Sequence, residues 1–255
     1  MIREPMPAPA RRFVDQVVMV TGAAGGIGSA IAERFATEGA RVWVCDSAAE
    51  GATAVADRIG GEALALDLND ADAAMAAVDR VLAESGRIDV LVNNAGINRR
   101  GDILTVTPED WDLTFAVNVS SIFHLCRAVV PSMIEAGGGA IVNTASQAGL
   151  HPIAGSIAYS TSKAAVAHFT QNLGRDVASH GIRVNAVCPG EIHTPMLESG
   201  MRQRGQSVAD MDALVPAGRI GRPAEVAALV AFLASDEAPF ICGTCVEITG
   251  AQVAL

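Results

Sequence analysis

The sequence predicts an α/β fold: one doubly wound domain built on a seven-stranded parallel sheet with helices on both faces. Three observations predict it. Short β-branched runs alternate with longer Ala-rich stretches of helical periodicity along the chain, the pattern of parallel strands joined by helical crossovers. No repeat and no internal linker interrupts that alternation, and right-handed crossovers close such a chain as a doubly wound sheet. At 255 residues, 50% of them hydrophobic and 18% charged, the chain is long and apolar enough to bury a large core.

Strands are expected at 16–21, 41–46, 63–67, 89–93, 140–146, 183–187 and 245–248, and helices at 26–38, 48–59, 71–85, 111–135, 159–179 and 223–234. Residues 1–13, MIREPMPAPARRF, read as a flexible Pro/Ala/Arg tail without a role in the fold, leaving 14–255 as the domain. The tail lacks the apolar centre of a signal peptide, and the longest apolar run, 226–234, is far shorter than the roughly 20 residues of a membrane helix. Thr107-Pro108-Glu109-Asp110 supplies a cap, a first-turn proline and early acids for a helix start. The stretch 193–218, rich in Met, Arg, Gln and Gly, is less regular. It reads as a substrate lid or as a plain surface connection.

A net charge of −10 argues against a duplex-binding protein, which needs a basic face. The five cysteines are odd in number and lack a secretory signal, so a reducing cytoplasm is expected. Cys242-x-x-Cys245 runs into the last strand and reads as small buried thiols. The five histidines show no metal-binding spacing, so no metal is expected.

Between the first strand and first helix lies Thr21-Gly22-Ala23-Ala24-Gly25-Gly26-Ile27-Gly28. Glycines there permit a tight turn and close backbone approach, and the helix N-terminus offers free N–H groups to a pyrophosphate. The plain alternative is a tight turn without a ligand. Asp46, at the end of the second strand and 18 positions after Gly28, suits the diol of an adenosine ribose and repels a 2′-phosphate, which favours NAD(H) over NADP(H). A strand-end Asp also commonly caps the next helix.

The chain contains one tyrosine, Tyr159, and one lysine, Lys163; its other 17 basic residues are arginines. The only phenol and the only side-chain primary amine therefore lie four apart, on one face of an expected helix. A nearby ammonium favours the phenolate, which would bring a phenol of pKa ~10 toward neutrality as an acid/base. Ser146, expected to close the 140–146 strand, is placed to hold a substrate oxygen. Asn118, inside the 111–135 helix, is an unfavourable helix residue unless its amide has a task or marks a bend.

With these residues in order, the chain resembles the short-chain dehydrogenase/reductase family over nearly all of 14–250. The motifs are TGAAGGIG at 21–28, Asp46, Asp67-Leu68, NNAG at 93–96, Asn118, Ser146, Tyr-x-x-x-Lys at 159–163, and Pro189-Gly190 with Thr194 beyond. The resemblance implies a Rossmann-type fold and the following roles. Gly22, Gly26, Ile27 and Gly28 line the pyrophosphate, Asp46 holds the ribose and Asp67-Leu68 flank the adenine. Asn94 and Ala95 lie along the cofactor, and Pro189, Gly190, Ile192 and Thr194 approach the nicotinamide. Tyr159 is the acid/base, Lys163 its activator and ribose ligand, Ser146 the carbonyl orienter and Asn118 the anchor of a water relay. It also implies a homotetramer with the 111–135 and 159–179 helices at an interface. One departure is the end, EITGAQVAL, where many relatives carry Asp-Gly-Gly.

Gln147, His151, Glu191 and His193 are the polar candidates for the substrate pocket, and they suit a small sugar, polyol or hydroxy acid. Arg99 and Arg100 could clamp a carboxylate or simply be solvated. The expected reaction is NAD(H)-dependent interconversion of a secondary alcohol and a ketone. A 3-oxoacyl thioester reductase is the alternative within the family. Outside it stand a non-catalytic nucleotide-sensing module and an S-adenosylmethionine-dependent methyltransferase, neither of which explains the Tyr/Lys pair.

Overall fold

The computed structural model describes residues 11–252, apart from the side chains of Gln203 and Arg204. Seven strands form one sheet: β1 (Val17–Thr21), β2 (Arg41–Asp46), β3 (Glu62–Ala65), β4 (Val90–Asn93), β5 (Gly139–Thr144), β6 (Ile182–Pro189) and β7 (Cys245–Ile248). Their order is β3-β2-β1-β4-β5-β6-β7, and every pairing is parallel. The chain winds outward from β1 through β2 to β3, then returns to β4 on the other side of β1. The order reverses between β1 and β4, and the crevice beyond their carboxyl ends is where ligands bind in such sheets.

Side chains alternate between the two faces of each strand, and two hydrophobic layers result. Val17, Met19, Leu91 and Ile141 pack toward α3 (Ala71–Ser85), α5 (Ser121–Glu135) and α7 (Ile157–Val177). Val18, Val20, Val90 and Val142 pack toward α1 (Gly26–Thr37), α2 (Ala49–Ile59) and α10 (Pro223–Ala234). Burial on both faces is why these strands are apolar at successive positions.

Several boundaries differ from the sequence reading. The 111–135 helix begins earlier, as α4 (Pro108–Phe115) capped by Thr107, and passes through a π turn at Ala116–Ser120 before α5. This continuous stretch, 108–135, is long and apolar enough to cross a membrane, although the 226–234 run alone is not. Here its inner face packs on the sheet.

β5 ends at Thr144, two residues before Ser146, because the chain there turns into a short helix, α6 (Gln147–Leu150). The stretch 193–218 contains α8 (Pro195–Arg204), capped by Thr194, and α9 (Val208–Leu214), held by a capping box between Ser207 and Asp210. Met201, Met211, Val215 and Ile220 give it a small core of its own.

The N-terminal tail shortens as well. Residues 1–10 lie outside the described residues, but Arg12 and Phe13 belong to the fold. Phe13 is fully buried and meets Phe35 edge-on with ring centroids 4.7 Å apart. Arg12 Nε donates to the buried Glu38 carboxylate at 2.6 Å, and Arg34 pairs with the same group. Burial pushes the Glu38 carboxyl up, but its two guanidinium partners outweigh that and hold it below the usual carboxylate range.

Candidate active site

The loops after β1 and β4 are locked together by the chain's own hydrogen bonds. Thr21 Oγ1 accepts from the backbone N–H groups of Asn94 and Ala95 at 3.1 and 3.2 Å. Asn94 Nδ2 donates to the carbonyls of Thr21 and Gly22 at 3.2 and 3.1 Å. A Cβ on Gly22 would lie 2.7 Å from Ala95 Cα, and one on Gly28 would lie 2.0 Å from the Gly22 carbonyl oxygen. Gly22 also has φ +64°, a left-handed conformation that suits glycine. These two glycines thus let α1 and the loops after β1 and β4 pack closely.

Gly25 is different: a Cβ there would meet nothing within 4 Å. It stands at the N-terminus of α1, which has neither a side-chain cap nor an acid in its first turn. That leaves the first-turn N–H groups as donors for an anion, and a dinucleotide pyrophosphate fits them. At the edge of the same loop, Asp46 Oδ2 accepts from Ala24 N and Oδ1 from Ala48 N, both at 3.0 Å. The carboxylate both caps the next turn and steadies the glycine loop. Each oxygen retains further acceptor capacity for a ribose diol.

Asp67 is exposed and accepts from Asn69 N at 2.9 Å, whereas the Leu68 side chain packs in the core. Ile27, Pro189, Gly190, Ile192 and Thr194 line a cleft of about 830 Å³ that also contains Ser146 and Tyr159. Thr194 begins α8 beside the glycine loop, its Cγ2 3.6 Å from where a Gly26 Cβ would stand.

The chemistry-bearing residues come from α6 and α7. Tyr159 and Lys163 lie one turn apart on α7, with Lys163 Nζ 5.8 Å from the Tyr159 ring centre. Ser146 is the N-cap of α6; its Oγ accepts from Ala148 N at 3.1 Å and its hydroxyl lies within hydrogen-bonding reach of the phenol. A Cβ on Gly149 would lie 2.5 Å from the Lys163 backbone, so only a glycine lets α6 rest this closely on α7. Sequence reasoning passed over Gly149, because one glycine in a chain with 25 of them is no signal by itself.

Lys163 is buried, and its Nζ donates to the Thr144 carbonyl at 2.7 Å. Burial pulls its ammonium down to about 8. Burial also raises the Tyr159 phenol above its ordinary value; the Ser146 hydrogen bond and Arg100 oppose this, and Glu191 adds to it. In the chain by itself burial outweighs the opposing contacts and leaves the phenol above its ordinary value, whereas the expected lowering toward neutrality concerns the NAD-bound enzyme.

Asn118 is fully buried at the π turn, as its unfavourable helix position suggested. Its Oδ1 accepts from Ile97 N at 2.8 Å, and its Nδ2 donates to Ile97 O at 3.0 Å and to Ser162 Oγ at 2.9 Å. The side-chain amide clamps the loop after β4 onto α7 and so positions the site. Ser162, the residue before Lys163 in the Tyr-x-x-x-Lys turn, went unnoticed in the sequence; a hydroxyl between the two catalytic candidates was the available signal.

Of the four substrate candidates, Gln147 and Glu191 line the cleft and the two histidines do not. His151 pairs with Glu247 at 3.2 Å, and the exposed His193 pairs with Glu198 at 3.2 Å. His151 follows α6 and His193 precedes α8, and both turn to acids outside the cleft. Arg99 and Arg100 both line its rim, Arg99 3.4 Å from Asp110. Cys242 and Cys245 are partly rather than fully buried, their thiols directed at the carbonyls of Gly174 and Ala167.

A family model described as enoyl-(acyl carrier protein) reductase matches residues 22–250. The chain is 42% identical over 245 residues to D-threitol dehydrogenase from Mycolicibacterium smegmatis, covering 94% of this chain and 93% of that protein. It is 38% identical over 247 residues to a 3-oxoacyl-(acyl-carrier-protein) reductase from Thermotoga maritima, covering 95% and 99%. Among solved structures, it is similar to 3-ketoacyl-(acyl-carrier-protein) reductase from Brucella melitensis complexed with NADH. There the TM-score is 0.87 at 33% identity, over 94% of this chain and 99% of that one.

Proposed function

The chain belongs to the short-chain dehydrogenase/reductase family, oxidoreductases acting on CH–OH groups with a nicotinamide cofactor, and on that premise we propose that it is an NAD(H)-dependent dehydrogenase of small polyhydroxylated alcohols. The observation that carries this reading is the meeting of Ser146 and Tyr159, with Lys163 behind, in a cleft whose wall is polar at Asn98, Gln147 and Glu191. The resemblance to D-threitol dehydrogenase supports the same substrate class.

When bound, the nicotinamide takes or supplies the hydride. The residues of the chain handle everything else. Ser146 hydrogen-bonds the reacting oxygen and orients it against the phenol. In oxidation the Tyr159 oxygen accepts the hydroxyl proton, and in reduction it returns one. Lys163, fixed by Thr144 O, places a positive charge behind the ring. Gly25 and the first turn of α1 hold the pyrophosphate, Asp46 the adenosine ribose, and Asn94, Ala95, Ile192 and Thr194 the path between them and the catalytic pair.

Asp46 is the basis for preferring NAD(H): its carboxylate repels a 2′-phosphate, and Ala23, Ala24 and Ser47 offer no cation in exchange. Asp46→Ala should shift the ratio of kcat/KM for NAD over NADP by at least about tenfold toward NADP, corresponding to about 1.4 kcal/mol. An unchanged ratio would remove Asp46 from this role.

α8 and α9 form the substrate lid; Met196, Leu197, Met211 and Leu214 present their side chains to the cleft. Phe123 and Ile134 on α5 are large apolar side chains left exposed, which supports a homo-oligomer, a tetramer by family expectation, with that helix at an interface. Five free thiols support a reducing, cytoplasmic setting.

The decisive experiment is a screen of NAD-linked oxidation across polyols, sugars, hydroxy acids and monohydric secondary alcohols, set beside NADH-linked reduction of a 3-oxoacyl thioester. Polyols are expected to give the highest kcat/KM. The thioester reductase reading, supported by the Thermotoga maritima relative, takes over if the thioester exceeds every alcohol.

A further inference from the structure

We propose that Asn98 recognises a second hydroxyl of the substrate, its side-chain oxygen accepting a hydrogen bond from a hydroxyl other than the one that reacts. The inference rests on the polyol dehydrogenase reading and narrows it to substrates that carry at least two hydroxyl groups.

Asn98 lines the cleft, and its Oδ1 is buried without a hydrogen-bond partner. A buried acceptor without a donor is costly and rare in folded proteins, so a cleft-lining one calls for a donor on the ligand. The residue is also held in place. Its neighbour Ile97 has both backbone groups bound by Asn118, N–H to Oδ1 at 2.8 Å and carbonyl to Nδ2 at 3.0 Å. Asn118 is in turn tied to Ser162 on α7, one residue before Lys163. The loop carrying Asn98 is thereby fixed relative to the catalytic pair, as a recognition group needs to be.

Besides Asn98, two further residues of the wall carry acceptors. Gln147 lines the same cleft, one N–H of its Nε2 bound to the Gln252 carbonyl at 2.6 Å and its oxygen able to accept from a ligand. Glu191 contributes a carboxylate to the same lining. These side-chain oxygens can accept from the hydroxyl groups of a polyol. An acyl thioester brings carbonyl acceptors and an apolar chain, and would leave the Asn98 oxygen unpaired. Sites built to hydrogen-bond a substrate hydroxyl discriminate strongly against analogues that lack it.

The test compares 2,3-butanediol with 2-butanol, which differ by one hydroxyl, as substrates of the NAD-loaded enzyme. The wild type should favour the diol, and Asn98→Ala should lower the diol-to-alcohol ratio of kcat/KM by about 10- to 100-fold. Asn98→Asp, which keeps an acceptor at that place, should restore most of it. Asn98→Ser, too short to reach, reads the same ratio should the alanine variant not fold. NADH affinity, measured by fluorescence titration, should stay within about threefold, since a loss there without a change in the ratio assigns Asn98 to the cofactor and overturns the proposal. A ratio unchanged in Asn98→Ala, with the wild type still preferring diols, overturns this inference alone. A wild type that oxidises no diol or polyol overturns the dehydrogenase reading and this inference with it.

Discussion

Tyr159→Phe should lose about a thousandfold or more in kcat for both oxidation and reduction while still binding NADH, because the phenol oxygen is the proton donor and acceptor and the ring contributes only packing. General acid–base groups contribute about 10²–10⁴-fold, and no second phenol or side-chain amine exists in the chain to substitute. The pH dependence follows from the direction of the shift. Burial raises the phenol above its ordinary value, so at neutral pH the group is protonated and prepared to act as the acid. Reduction should therefore proceed at neutral pH and fall as pH rises, and oxidation should increase toward alkaline pH as the phenolate forms. Because Tyr159 is the sole tyrosine, ultraviolet titration of the unliganded protein reports it alone, with a midpoint expected above ~10. A titration near 7 without ligand would contradict the burial argument, and an active Tyr159→Phe would remove the residue from the mechanism.

Gly28→Ala and Gly25→Ala should separate the two tasks of the glycine loop. A Cβ on Gly28 would stand 2.0 Å from the Gly22 carbonyl oxygen and 2.6 Å from Asn94 Nδ2, so the backbone must move and the Asn94 bridge between β1 and β4 must open. Overpacking of this kind costs about 1–3 kcal/mol or more, and both Tm and NADH binding should fall. A Cβ on Gly25 meets no protein atom within 4 Å. That variant should keep its Tm and yet weaken NADH by about tenfold or more, since the methyl occupies the space over the first turn of α1. Calorimetric melting and fluorescence titration measure the two effects independently. Equal losses of Tm in both variants would mean that the loop is purely structural.

The sheet and the catalytic pair were legible because their signals are local and strong. Apolar runs between helical stretches located all seven strands to within a few residues, and the isolation of Tyr159 and Lys163 in composition was enough to mark them. The misses have physical causes. Thr194-Pro195 and Ser207-x-x-Asp210 are helix starts of the same kind as Thr107-Pro108, but α8 is polar overall, α9 is only seven residues long, and the two bury few side chains. The extra residue in the π turn is invisible to a periodicity of 3.6, and Asn118 was its only mark. Phe13 sat within a Pro- and Arg-rich stretch, and its burial depends on Phe35, which is distant in sequence. The positions of His151 and His193 relative to the cleft depend on the acids beside them, Glu247 and Glu198. One of those acids is remote and the other lies on a helix that the sequence did not reveal.

The solitary lysine has a practical side. Its ammonium is enclosed, bonded to the Thr144 carbonyl and only 3% exposed, while the 17 other basic side chains are guanidinium groups. Amine-directed chemistry, whether acetylation, an activated ester or an aldehyde cross-linker, thus finds no side-chain target on the surface, and enzymatic digestion restricted to lysine has a single, shielded cleavage point. Immobilisation through surface lysines will fail, and side-chain coupling has to go through other groups, the surface carboxylates above all. An amine label that does enter Lys163 becomes a direct report that its contact with the Thr144 carbonyl at the end of β5 has opened.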